Sequence, residues 1–271
     1  MLLTVFLPEK LKMMNFYIDR SCALEAFNNY TANYDTGNLS TAVKIAHTYR
    51  VAEIAERIAG SISKANVDFS WLLGLLHDIG RFEQITRYGT FKDVLSVDHA
   101  ELGADILFQD DLFDFFVSRG KLELEEFKKA RSIAETAIRL HNKLRIPENM
   151  EAQTEMYTKI LRDADKVDIF RVLTEPPYDE LYNNLNDLCV RAEVMQCVNE
   201  HRCVPRTAGK ANELETLIAQ CCMAFEVEYP ESHAIVIEQG YLKKLLNKNS
   251  AYLAVIKDEI IKSWETQNLG T

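Results

Sequence analysis

Residues 69–80 read Phe-Ser-Trp-Leu-Leu-Gly-Leu-Leu-His-Asp-Ile-Gly, apolar on every side of a helix until an imidazole and a carboxylate arrive together. A helix that is apolar all round belongs inside a protein, so this stretch is read as a central helix around which others pack. Gly80 is expected to stop it. His77 and Asp78 then lie buried at its end, where they can serve one metal ion or bridge two. Without such a partner, a carboxylate in that position carries a large desolvation cost.

Outward from this helix, the chain repeats apolar residues every three or four positions and shows almost no two-residue alternation. It contains only 10 Gly and 6 Pro in 271 residues. The expectation is an all-α protein, a helical bundle with additional C-terminal helices. Helices are predicted over about residues 21–34, 40–60, 68–79, 96–117, 122–142, 152–174, 179–202, 210–228, 232–248 and 251–266. Ser96 is the expected N-cap of the fourth. Paired prolines cannot continue a helix, so Glu175-Pro176-Pro177 marks the main boundary. The chain is read as a helical extension (1–38), a metal-binding core (39–175) and a helical cap packed on that core (176–271).

A hydrophobic fraction of 47% with 27% charged residues is that of a soluble globular protein, and the net charge of −10 argues against binding DNA or RNA duplexes. A small anionic substrate held by a few local cations remains compatible with it. The six cysteines are irregularly spaced with no CxxC pair, which gives no zinc ribbon and suggests reduced thiols in the cytoplasm. The opening MLLTVFLPEKLKMM is too short an apolar run for a secretory signal, with Met13 or Met14 as an alternative start, and no stretch reaches membrane-spanning length.

Four of the six histidines fall on stripes or helix ends that bear on a common interior. Val43, His47, Val51, Ile54 and Ile58 share one face, so His47 is buried and Arg50 projects beside it as a candidate substrate contact. His99 shares a face with Gly103 and Ile106. His141 follows Ala130, Ala134, Ala137 and Ile138 at the end of an inward stripe, with Asn142 next to it, available to a substrate or to the helix end. In residues 160–170, Asp165 aligns with Leu161, Ile169 and Val172, while Asp163 and Asp168 are competitors. Asp168 is placed either to orient a ligand or to pair with Arg171, and the ion pair is the expected role. Arg162 and Lys166 flank Asp165 and can meet a substrate phosphate or form ordinary helix ion pairs.

Taken in order, HTYRVAEIA (47–55), LLGLLHDIGRFEQ (72–84), SVDHAELGADILF (96–108), AIRLHN (137–142) and RDADKVDIF (162–170) resemble the HD-domain metal-dependent phosphohydrolases over about half the chain. The resemblance implies that His47, His77, Asp78 and Asp165 hold one ion and that Asp78 bridges to a second held by His99 and His141. Nitrogen and carboxylate donors without thiolate suit Fe, Mn, Ni or Zn, with Mg possible. Such a pair of ions supplies a bridging hydroxide for attack on phosphorus. Arg81 occupies a position where relatives place a phosphate-binding cation, and its fork suits bidentate binding. The loop TRYGTFKDVL (86–95) adds Arg87 as a candidate substrate contact.

The implied enzyme is an HD-type phosphohydrolase acting on a small phosphorylated molecule, with nucleotides as the class common among relatives. Two alternatives stand beside it: a di-iron oxygenase, which shares the ligand set, and a non-catalytic nucleotide-binding regulator, a class usually betrayed by loss of ligands that are complete here.

Overall fold

The computed structural model describes residues 17–109, 111–117, 123–205 and 211–269. The opening segment read for a signal or an alternative start lies outside them. The described residues form helices without strands. The chain begins with α1 (Arg20–Thr31), α2 (Leu39–Gly60), α3 (Val67–Leu76), α4 (Ile79–Tyr88), α5 (His99–Phe108) and α6 (Leu112–Phe116). It continues with α7 (Leu124–Leu140), α8 (Ala152–Val172), α9 (Ala192–Asn199), α10 (Glu213–Cys221), α11 (Pro230–Gln239), α12 (Tyr241–Leu246) and α13 (Ala251–Leu269).

As its apolar circumference requires, α3 is the central helix: every residue from Phe69 to Leu76 is buried. It starts where the Asn66 side chain accepts from the Phe69 N–H, and it lies along α2 with α8 beside both. Gly74 makes the α2 contact possible. A Cβ there would stand 2.6 Å from the Ala52 Cα and 2.7 Å from its nitrogen.

Gly80 does not stop α3. The helix ends at Leu76, the chain turns through His77 and Asp78 (Asp78 φ −103°, ψ 17°), and Gly80 is the second residue of α4. The glycine serves close packing instead, because a Cβ would lie 2.4 Å from the His99 carbonyl oxygen and 2.5 Å from the Gly103 nitrogen. Both obstacles are backbone, so Gly80→Ala must push α5 away from α4. An expected loss of about 3 kcal/mol from overpacking outweighs the helix-propensity gain of about 1 kcal/mol, and a urea unfolding midpoint measures it.

Other boundaries differ from expectation for local reasons. The expected loop over residues 86–95 is helical up to Tyr88, where Gly89 at φ 64° closes α4. Asp98, not Ser96, caps α5, accepting from the Ala100 N–H at 3.0 Å. The single helix expected over 96–117 breaks at Asp111, with φ 53°, and that over 232–248 breaks at Gly240, with φ 70°. Residues 179–202 are mostly not helix: a 3-10 turn at Asp179–Tyr182 gives way to Asn183, Asn184, Asn186 and Asp187 before α9 begins. Those side chains compete with the helix for backbone partners.

After Pro177 the chain returns to α8, against which α11, α12 and the 3-10 turn Cys222–Glu226 pack. One hydrophobic cluster runs from Ile18 and Phe27 through α3 to Ile260 and Trp264. No helix among the described residues is long and apolar enough to cross a membrane.

Candidate metal centre

His47 sits midway along α2, His77 and Asp78 form the α3–α4 turn, His99 opens α5, His141 follows α7 and Asp165 lies on α8. Five elements thus bring the six sequence-selected residues together. All four imidazoles are at most 4% exposed and Asp78 is 2% exposed.

Each ring is held by its Nδ1 and presents its Nε2 inward. His77 Nδ1 lies 2.7 Å from the Gly74 carbonyl, and His141 Nδ1 lies 2.7 Å from the Ile138 carbonyl. His47 Nδ1 is 2.6 Å from Asp168, and His99 Nδ1 is 2.9 Å from Asp93. Carbonyls and carboxylates in these places fix the tautomer that leaves Nε2 as the lone-pair donor, the usual support of metal-binding histidines.

The four Nε2 atoms meet around Asp78, whose two oxygens face different pairs. Oδ2 is 3.7 Å from His47 and 3.6 Å from His77, while Oδ1 is 3.4 Å from His99 and 3.8 Å from His141. Asp165 Oδ1 lies 3.1 Å from His47 and 3.6 Å from His77.

Two observations test whether these residues fit a metal. His77 Nε2 is buried with no hydrogen-bond partner, a costly state for a polar atom. His99 Nε2 and His141 Nε2 approach to 3.1 Å, a spacing that suits two lone pairs sharing a cation. One donor atom each from His47, His77 and Asp165, and likewise from His77, Asp78 and His141, lie within 4.8 Å of one another, so both groups could hold an ion.

At His141 the electrostatics agree, whereas at His47 burial and Lys44 are outweighed by the carboxylates of Asp165 and Asp168, which raise its pKa. Burial, then the neighbouring His99 and His77, pushes the His141 imidazole down to about 3, keeping its lone pair free. Burial alone would raise both carboxyls. Lys44, His77 and Arg81 nevertheless hold Asp78, and His47 and His77 hold Asp165, well below the usual carboxylate range.

Three contributors were not read from the sequence. Lys44 Nζ stands 2.8 Å from Asp78 Oδ2; its position one turn before His47 was the available signal. Asp93, in a 3-10 turn with no periodicity to place it, accepts from Arg81 at 2.9 Å as well as orienting His99. Asp98 receives Lys143 at 2.6 Å and Asn142 at 2.7 Å.

The expected Asp168–Arg171 pair does not form. Asp168 is fully buried, accepts both arms of Arg50 at 2.6 and 3.0 Å and backs His47, whereas Arg171 pairs with Glu175. Arg50 is therefore occupied behind the centre and does not line the pocket. Arg87 is exposed, pairs with Glu83 and also stays outside. Asp163 accepts the Glu228 and Tyr229 N–H groups at the start of α11.

A pocket of about 400 Å³ opens in front of Asp78, His99, His141 and Asp165. Lys44, Arg81, Asn142, Lys143, Arg162 and Lys166 lie on its wall.

An all-helical domain with converging His and Asp donors from successive helices defines a class of metal-centred helical proteins. Residues 45–169, which carry the candidate metal ligands, match the family model described as HD domain. Neither the curated proteins nor the solved structures contain a match to the chain. The HD domain implies the superfamily of metal-dependent phosphohydrolases.

Proposed function

We propose that the protein is an HD-type phosphohydrolase cleaving a phosphate ester or anhydride of a small cytoplasmic molecule, of the nucleotide class. The observation that carries this reading is the Asp78 carboxylate, whose two oxygens divide between two pairs of imidazoles beside a cation-lined pocket. In this reading His47, His77, Asp78 and Asp165 would hold one ion, and Asp78, His99 and His141 would hold a second. The donor set suits Fe, Mn, Ni or Zn, with Mg possible. Bound ions would supply activated water and neutralise charge on the phosphoryl oxygens.

The chain's own residues do the rest. Asp168 and Asp93 hold the His47 and His99 rings in their donor orientation. Lys44 and Arg81 place positive charge beside Asp78, at 2.8 and 3.5 Å. Asn142 Oδ1 is buried without a partner, so a substrate N–H or O–H can donate to it.

Metal analysis of anaerobically purified protein, followed by a hydrolysis screen that follows inorganic phosphate for nucleotides and sugar phosphates and the linear nucleotide product for cyclic dinucleotides, with and without O₂, tests the proposal. Arg81→Ala is expected to lower kcat for phosphate release about 100-fold with metal content intact, because its charge acts on phosphoryl oxygens in the transition state. Turnover that requires O₂, releases no phosphate and ignores Arg81 would instead assign the centre to di-iron oxygenation.

A further inference from the structure

The outer wall of the pocket comes from the segment after Pro177, outside the family match. Val204, Ala219, Gln220, Met223 and Glu226 face the metal side across the opening. Glu226 is the acidic residue among them, and its carboxylate is 26% exposed.

Its setting is rigid. Glu226 ends the 3-10 turn Cys222–Glu226, whose Ala224 carbonyl accepts from Trp264 Nε1 at 2.9 Å and whose Phe225 ring stacks on His201 at 5.2 Å. Immediately beyond it, the buried Asp163 accepts the Glu228 and Tyr229 N–H groups at 3.0 Å each. The backbone on both sides of Glu226 is thus held in place.

Glu226 Oε2 lies 3.3 Å from Arg162 Nη2 and 3.4 Å from Lys166 Nζ. Lys166 also donates to the Glu226 backbone carbonyl at 3.2 Å, and Arg162 reaches the Leu140 carbonyl at 3.0 Å and the His141 carbonyl at 3.3 Å. Left to themselves, two nearly buried cations on this wall would form a phosphate site. Glu226 supplies the anion that they would otherwise seek, and a second phosphoryl group arriving there meets a fixed negative charge in a partly desolvated place, where like charges repel strongly.

We propose that Glu226 is a specificity-determining residue: by occupying Arg162 and Lys166, it reserves the pocket for substrates with one phosphoryl group on an uncharged organic part and disfavours di- and polyphosphates. This rests on the phosphohydrolase reading above. The apolar side chains of Leu144, Ile169 and Met223 suit that uncharged part.

The test compares a nucleoside 5′-monophosphate with the corresponding diphosphate on metal-loaded wild type and Glu226→Gln. Two readouts are used: kcat/KM for phosphate release, and the dissociation constant by calorimetry under non-turnover conditions. Glu226→Gln is expected to shift the monophosphate-to-diphosphate ratio of both quantities towards the diphosphate by about tenfold or more. An unchanged ratio overturns the proposal. Should the variant fail to fold, Gln220→Lys changes the charge of the same wall from the last turn of α10, where a cation is compatible with the helix dipole. It is expected to move the ratio in the same direction, and no movement again overturns the proposal. If wild type releases phosphate from nothing, the hydrolase reading fails separately, while the calorimetric ratio still reports the selection at Glu226.

Discussion

Asp78→Ala is expected to purify without metal at either position and to lose phosphate release altogether. The carboxylate lies within 3.8 Å of all four imidazole Nε2 atoms, so its removal takes a donor from both halves of the centre at once. The loss should exceed the about 10–100-fold cost of removing a supporting partner. His99→Ala or His141→Ala should mainly empty the half that these two rings complete, leaving close to one ion per chain. Elemental analysis of the three variants against wild type distinguishes these results, and full metal occupancy in Asp78→Ala would falsify the shared-carboxylate arrangement.

The second large effect is expected at Asp168, which binds no metal in this arrangement. Its Oδ2 fixes His47 at 2.6 Å, and its Oδ1 receives Arg50 at 2.6 Å. Asp168→Ala frees the ring to rotate and leaves a guanidinium without its partner in a largely buried place. Metal affinity should fall about 10–100-fold, and the fold should lose about 3–5 kcal/mol, the cost of breaking a buried pair from one side. Metal titration and urea unfolding of the metal-free protein read the two losses independently. An effect below about 1 kcal/mol, as for a surface ion pair, with unchanged metal affinity would show that Asp168 supports nothing.

The contrast between these residues explains what the sequence made legible. His47 and His141 could be placed because each continues an apolar stripe, and a polar side chain on such a stripe announces a buried partner. Asp168 could not, because the spacing along its own helix offers Arg171 at i+3, while the partner that wins, Arg50, arrives from another helix. Gly80 misleads for the same reason: a glycine at the end of an apolar run satisfies the local rule for a helix stop, but the backbone of α5 is what demands it. Asp93 carries no periodic signal in its short turn. The long helix expected after Pro177 failed where several Asn side chains interrupt a pattern that apolar counting alone accepts.

Helix α8 has a consequence for how such a protein can change. Over residues 162–168 it presents Asp165 to the metal side and Asp168 to the His47 ring, while Arg162 and Lys166 turn towards Glu226 and Asp163 anchors the start of α11. In the proposed reading, the metal centre and the wall that selects substrate are therefore separate pieces bolted to a common beam. On that reading, substitutions at Val204, Ala219, Gln220, Met223 and Glu226 are expected to change which substrate enters more than how it is cleaved, whereas any shift of the beam is felt by both pieces together. New substrates are best sought by grafting that outer segment, leaving α8 as it stands.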